Sequence, residues 1–154
     1  AKQCQLADYY RNIHLYFLKG KQGSELDNSR KVKADYDALT WRKDFVYKLF
    51  LFFYHRYTLS QEEMSPSFQQ FKQQLDARYQ EEIPTPLREE FRAGSLPLMK
   101  WANILTFNTR AIVLYLSLLA FQPWIYFIFE LTVMNVIWWY MRSKHEALCA
   151  RLMA

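Results

Sequence analysis

The sequence predicts an all-α chain: part of a membrane helical bundle, with a two-span hairpin and a helical cytoplasmic region. Three observations predict it. First, Ala111 to Met141 reads AIVLYLSLLAFQPWIYFIFELTVMNVIWWYM, 31 residues with one charge, Glu130, split by Gln122-Pro123. Second, apolar residues elsewhere recur at spacings of three and four, the mark of helix faces, and no useful β alternation appears. Third, the chain has 3 glycines, Gly20, Gly23 and Gly94, which excludes Gly-rich phosphate loops and the glycine-rich turns of all-β folds.

Taken in order, Leu6, Tyr10, Ile13 and Phe17 give residues 6–18 one apolar face. Nothing caps this helix upstream, and the chain opens on Ala1 rather than Met. The expectation is the downstream part of a longer protein, with residues 1–19 ending an upstream helix or span. Gly20, Gly23 and Asn28 mark a loop. Arg30–Tyr57 reads as helix with a break near Thr40. Trp41, Phe45, Leu49, Phe52, Phe53 and Tyr57 form its stripe, with Lys43, Lys48 and Arg56 around it. Such a helix either lies on a membrane surface or packs on a neighbour. Ser60-x-x-Glu63 has the capping-box pattern, and Ser65-Pro66 reads as an N-cap followed by proline at the first helical position. Phe68, Phe71, Leu75 and Tyr79 form the next stripe. Thr85-Pro86 opens a short helix that Gly94 can close, and Ser95-Leu96-Pro97 starts a helix that runs on into the membrane.

A span needs about 20 mostly apolar residues to cross a hydrocarbon core of roughly 30 Å. The first arm meets that length only by reaching back through Arg110, Asn108 and Asn103. The resulting division is 20–95 for the cytoplasmic helical region and 96–145 for the hairpin, with a tail at 146–154. The spans themselves cover 97–121 and 123–141. Trp101, Trp124, Trp138 and Trp139 flank or end the apolar stretch, as interfacial aromatics do. Lys100 and Arg110 precede it, Arg142, Lys144 and Arg151 follow it, and the turn carries no charge. Both hairpin ends are therefore expected in the cytoplasm, in an inner membrane. The mean hydropathy of −0.25 conceals this. It averages residues 1–100, with 16 Lys/Arg and 13 Asp/Glu, with residues 101–154, which hold 4 and 2. The net charge of +5 suits anionic headgroups or phosphates, or simply a solvated basic surface. No nucleic-acid partner is expected.

Arg110, Asn108, Glu130 and Asn135 form an expected intramembrane polar cluster, since polar groups in a membrane are costly and point to function. Arg110 reaches the depth of Asn135 and can stretch toward Glu130. Two readings stay open for it: a clamp between the two spans, or a cavity for phosphate, which Arg grips in a bidentate fashion. There is no HExxH, GxSxG or Walker-type loop. His14, His55 and His145 lack partner spacing. Cys4 and Cys149 read as reduced thiols. The pairs Asp35/Asp37, Glu62/Glu63, Glu81/Glu82 and Glu89/Glu90 read as solvated helix faces. No metal ligand or catalytic residue is assigned.

Three segments together resemble one family: AKQCQLADYYRNIHLYFLKGKQGSELD at 1–27, IPTPLREEFRAGSLPLMKWANILTFNTRAI at 83–112, and PWIYFIFELTVMNVIWWYMRSKHEALC at 123–149. They are similar to the C-terminal part of the integral-membrane CDP-alcohol phosphatidyltransferases of the Bacteroidetes type. Residues 30–80 match loosely. The resemblance implies transfer of a phosphoalcohol group from a CDP-linked donor to an alcohol, releasing CMP, in phospholipid-type biosynthesis. It also implies a divalent metal, Mg or Mn, for the whole protein. The family signature, D-x2-D-G-x2-A-R-x8-G-x3-D-x3-D, does not occur here, and none of the three glycines follows an Asp. The hairpin would be the fifth and sixth spans of a six-helix bundle. Upstream spans of the same protein, membrane lipid and a second copy are the implied partners, and Arg110 or Lys100 the candidates to contact substrate phosphate. Two other readings stand beside this one. One is a non-enzymatic, membrane-tethered adaptor or assembly protein. The other is a soluble bundle with a very apolar core hairpin.

Overall fold

A computed structural model describes residues 2–20, 26–79 and 83–153; Gly23 and the Glu81/Glu82 pair lie outside them. Among the described residues, eight α-helices and no strands carry the regular structure: α1 (Lys2–Lys19), α2 (Ser29–Ala38), α3 (Phe45–Met64), α4 (Pro66–Tyr79), α5 (Thr85–Ile104), α6 (Phe107–Leu119), α7 (Trp124–Leu131) and α8 (Val133–Met153).

The core is built around α1. Leu6, Tyr10, Ile13 and Phe17 are almost wholly buried, as their spacing predicts. Tyr10 stacks on His145 of α8 with ring centroids 3.7 Å apart, and Phe17 on Phe91 of α5 at 3.9 Å. Tyr9 meets Phe68 of α4 edge-on. Helices α1 and α5 run antiparallel, because Arg88 reaches the end of α1, Asn103 meets Arg11 in its middle and Leu105 meets Cys4 at its start. Arg88 donates to Phe17 O at 3.1 Å and to Leu18 O at 3.2 Å. That cation satisfies the open carbonyls at the negative end of the helix dipole. Gly20, at φ 77°, then terminates α1 with its N–H on Tyr16 O at 2.9 Å, a left-handed cap that suits glycine.

Several expected boundaries fall elsewhere. Ser60 lies inside α3 and caps nothing, since α3 runs unbroken to Met64. Ser65 gives its hydroxyl to Tyr10 Oη at 3.4 Å, and the start of α4 is held instead by Glu146 of α8, which accepts from Ser67 N at 2.8 Å. A carboxylate there satisfies an open N–H and complements the dipole. Tyr79, expected in the α4 stripe, is exposed. Gly94 does not end a helix: α5 passes straight through Gly94, Ser95 and Pro97. The reason is packing, since a Cβ on Gly94 would stand 2.4 Å from Leu148 Cδ1 of α8. Glycine lets α5 and α8 approach, and the real interruption comes later, at Leu105–Thr106.

The hairpin turn is a Schellman closure. Gln122 N–H bonds Ser117 O at 2.9 Å and Phe121 N–H bonds Leu118 O at 3.0 Å, with Phe121 at φ 55° where glycine is usual. Pro123 then opens α7.

Candidate functional site

Both arms of the hairpin are broken helices. The first is interrupted between α5 and α6 at Leu105–Thr106, the second between α7 and α8 at Thr132. Helix α6 alone is about 20 Å long, short of a hydrocarbon core, so an arm long enough to cross one includes part of α5. A helix break leaves backbone carbonyls without their usual partners, and inside apolar surroundings they need others.

Arg110 supplies the partner at the first break. Its Nη1 donates to Leu105 O at 2.8 Å and to Cys4 Sγ, and the Cys4 thiol also reaches Leu105 O at 3.2 Å. Nε pairs with Glu130 of α7, 2.9 Å from Oε2 and 3.2 Å from Oε1. Nη2 donates to Gln3 Oε1. Gln3 in turn donates through Nε2 to Asn135 Oδ1 at 2.7 Å. Asn135 donates to Leu131 O at 2.9 Å, beside the second break. One continuous polar knot thus ties α1, α6, α7 and α8 together and holds a carbonyl at each interruption. Arg110 is 10% and Glu130 26% exposed, so the ion pair is screened on most sides.

The expected cluster is therefore only partly assembled. Arg110 meets Glu130 directly. It meets Asn135 through Gln3 alone. Asn108 is exposed on α6 and Lys100 exposed on α5, and among the described residues neither joins the knot. Four of the five guanidinium N–H donors have partners within the chain. A bidentate phosphate would have to displace them, so the geometry favours the clamp over the cavity. Gln3 and Cys4 were not foreseen. The signal for Gln3 was present, because it continues the spacing of Leu6, Tyr10 and Ile13 one turn upstream. A shallow cavity of about 390 Å³ lies beside the knot, lined by Lys2, Gln3, Glu130, Leu131, Asn135 and Trp138.

Among the described residues no three His, Cys, Asp or Glu side chains converge. None is therefore assigned to the divalent metal that the resemblance implies. His145 lies 3.8 Å from Cys149 through Nδ1, and His14 shares a 2.7 Å hydrogen bond with Ser95 Oγ. Both are buried. Burial, with Arg92 nearby, holds the His14 pKa below its ordinary value.

Two stretches, Thr85–Leu119 and Trp124–Met153, are long and apolar enough to cross a membrane, and only 22% and 11% of their apolar windows are buried inside the chain. Most of the apolar surface of both windows is therefore left uncovered by the described residues. Comparison with protein-family models, with curated proteins and with solved structures returned no match.

Proposed function

We propose that this chain is the C-terminal portion of an integral-membrane CDP-alcohol phosphatidyltransferase, contributing the last two spans and a cytoplasmic helical region to the bundle. The observation that carries the membrane part of this reading is the bare hairpin. Leu114, Leu118, Phe127, Ile128, Leu131 and Val136 turn apolar side chains outward on both arms. A contiguous apolar surface of that extent is stable against lipid or further spans, not against water. The enzymatic part rests on the three segments that resemble the family.

In this reading the hairpin does no chemistry. Arg110, Glu130, Gln3 and Asn135 fix the two broken spans on α1, so that the wall they form is rigid where the bundle needs it. Lys100, exposed on α5 before the apolar run, is the residue left to contact a phosphate. Divalent metal and the phosphoryl transfer belong to residues upstream of Ala1. Both hairpin ends face the cytoplasm of an inner membrane, following the charges at 100, 110, 142, 144 and 151.

The test begins upstream. An in-frame D-x2-D-G-x2-A-R signature in the coding sequence before Ala1, together with metal-dependent CMP release from a CDP-linked lipid donor by the encoded protein in membranes, supports the reading. A start codon immediately before Ala1 removes it.

A further inference from the structure

The α2–α3 arm joins the core near the C-terminal end of α3, where Met64 is buried, and carries a face that the described residues leave uncovered. Around α3, Lys48, Leu51 and Thr58 point inward and are buried. Phe45, Val46, Leu49, Phe50, Phe53 and Tyr57 share the opposite side and are exposed, Val46 by 78% and Phe53 by 63%. Lys48, the one cation in the first three turns, is drawn off this side. Its Nζ donates to Leu39 O at 2.7 Å and lies 4.6 Å from the Tyr36 ring centroid and 5.4 Å from that of Trp41. The outer side from Phe45 to Phe53 is left without charge. The arm as a whole is basic, with seven Lys/Arg against four Asp between residues 27 and 57. Six of the seven cations are exposed: Arg30, Lys31, Lys33, Arg42, Lys43 and Arg56.

The position of this face says what covers it. Gln5 of α1 donates to Tyr57 O at 2.7 Å, and Gln61 reaches back to Gln5 O at 3.3 Å. Gln5 is two residues from Gln3 and one from Cys4, both in the polar knot at the base of the hairpin. The Tyr57 end of the face is therefore continuous with the region where the bare hairpin leaves the core. An aromatic, uncharged face rimmed by Lys and Arg is the composition of helices that lie in the headgroup and upper acyl layer, and the surplus of cations complements anionic lipid.

We propose that the α2–α3 arm is a second membrane-contact element: the outer face of α3 rests in the interfacial layer of the bilayer that the hairpin crosses, and the exposed cations that flank this face in the chain, Arg42, Lys43 and Arg56, meet the phosphates of anionic lipids. The proposal rests on the membrane reading of the hairpin, and the experiment separates the two.

The photo-crosslinking amino acid p-benzoylphenylalanine replaces Phe50 or Phe53 in the full chain. It replaces Leu118 as a hairpin control and Lys31 as a control on the polar side. Each protein is reconstituted in vesicles of equal parts phosphatidylethanolamine and phosphatidylglycerol, irradiated, and its mass measured. The expected result is phospholipid adducts at 50 and 53 severalfold above those at 31 and comparable with those at 118. Adducts at 118 but none above the control at 50 and 53 overturn the arm proposal alone. Crosslinks from 50 or 53 to another polypeptide, a second copy included, overturn it in favour of a protein partner. No lipid adduct at 118 overturns the membrane reading itself. In the crosslinker proteins, Arg42→Gln with Lys43→Gln should lower the ratio of phosphatidylglycerol to phosphatidylethanolamine adducts; an unchanged ratio removes the anionic preference.

Discussion

Helices α1 and α3 are 18 and 20 residues long, and both carry aromatic stripes. Along α1, Leu6, Tyr10, Ile13 and Phe17 are 0–2% exposed, whereas on α3 Phe45, Val46, Phe50 and Phe53 are 57–78% exposed. The difference does not lie in the helices' own composition. It lies in what surrounds them. Helix α1 is packed against α5, α4 and α8, each offering rings or aliphatic groups at matching heights. Helix α3 touches α2 on one side and α1 near its C-terminal half, and its other side meets nothing among the described residues. An amphipathic pattern therefore specifies a face to be covered, not the material that covers it.

The largest expected effect separates the two helices most sharply. Phe17→Ala removes a ring held between Phe91 and Phe71 and should cost about 3–5 kcal/mol of stability in detergent. Phe53→Ala, on the bare side of α3, should cost less than about 0.5 kcal/mol there. Equal losses would abolish the distinction between the helices.

Arg110→Leu tests the knot that joins the well-packed and bare parts of the molecule. It leaves Glu130, Gln3 Oε1 and Leu105 O short of donors. Breaking a buried ion pair costs about 3–5 kcal/mol; because Glu130 keeps some contact with solvent, about 2–3 kcal/mol is expected. Glu130→Gln added to Arg110→Leu should recover part of it, and denaturation of both variants measures the coupling. If Arg110→Leu instead leaves stability intact and abolishes binding of a phosphate ligand, the cavity reading replaces the clamp.

Gly94→Ala probes the α5–α8 contact. The added methyl meets Leu148 and should cost about 1 kcal/mol, relieved when Leu148 is also cut to Ala. The smallest effect concerns pH. Burial lowers the His14 pKa in the folded chain, so the folded state binds less proton than the unfolded one. Its contribution is complete above the ordinary value of 6.5 and is lost as pH falls toward the folded value. His14→Asn should flatten the acid limb of the stability profile by that contribution, while a profile identical to the parent's assigns the acid loss elsewhere.

The all-helical class, the α1 face and the hairpin were legible in the sequence because periodicity and apolar length are local signals. From the sequence Arg110 is expected at the depth of Asn135 with Glu130 within its stretch, whereas its direct partner is Glu130 and Asn135 is reached through Gln3. The place of Gln3 on the α1 face was legible, but its role and that of Cys4 were not, because both depend on α1 docking its first turn against a break at Leu105 that carries no proline or glycine. Gly94 misled for a related reason. Glycine serves both as a helix stop and as a close-packing residue, and only the neighbouring Leu148 distinguishes the uses. The stripe on α3 was seen, but its partner could not be, since the choice between lipid and protein lies outside the helix.

What lies against the bare hairpin decides whether this chain is an integral membrane protein. Membranes containing the protein are washed with alkaline carbonate, which strips peripheral proteins and leaves integral ones, and the pellet and supernatant are compared. A membrane-spanning hairpin keeps the chain in the pellet, from which only detergent releases it. Recovery of folded, monodisperse protein in the carbonate supernatant would contradict a spanning hairpin.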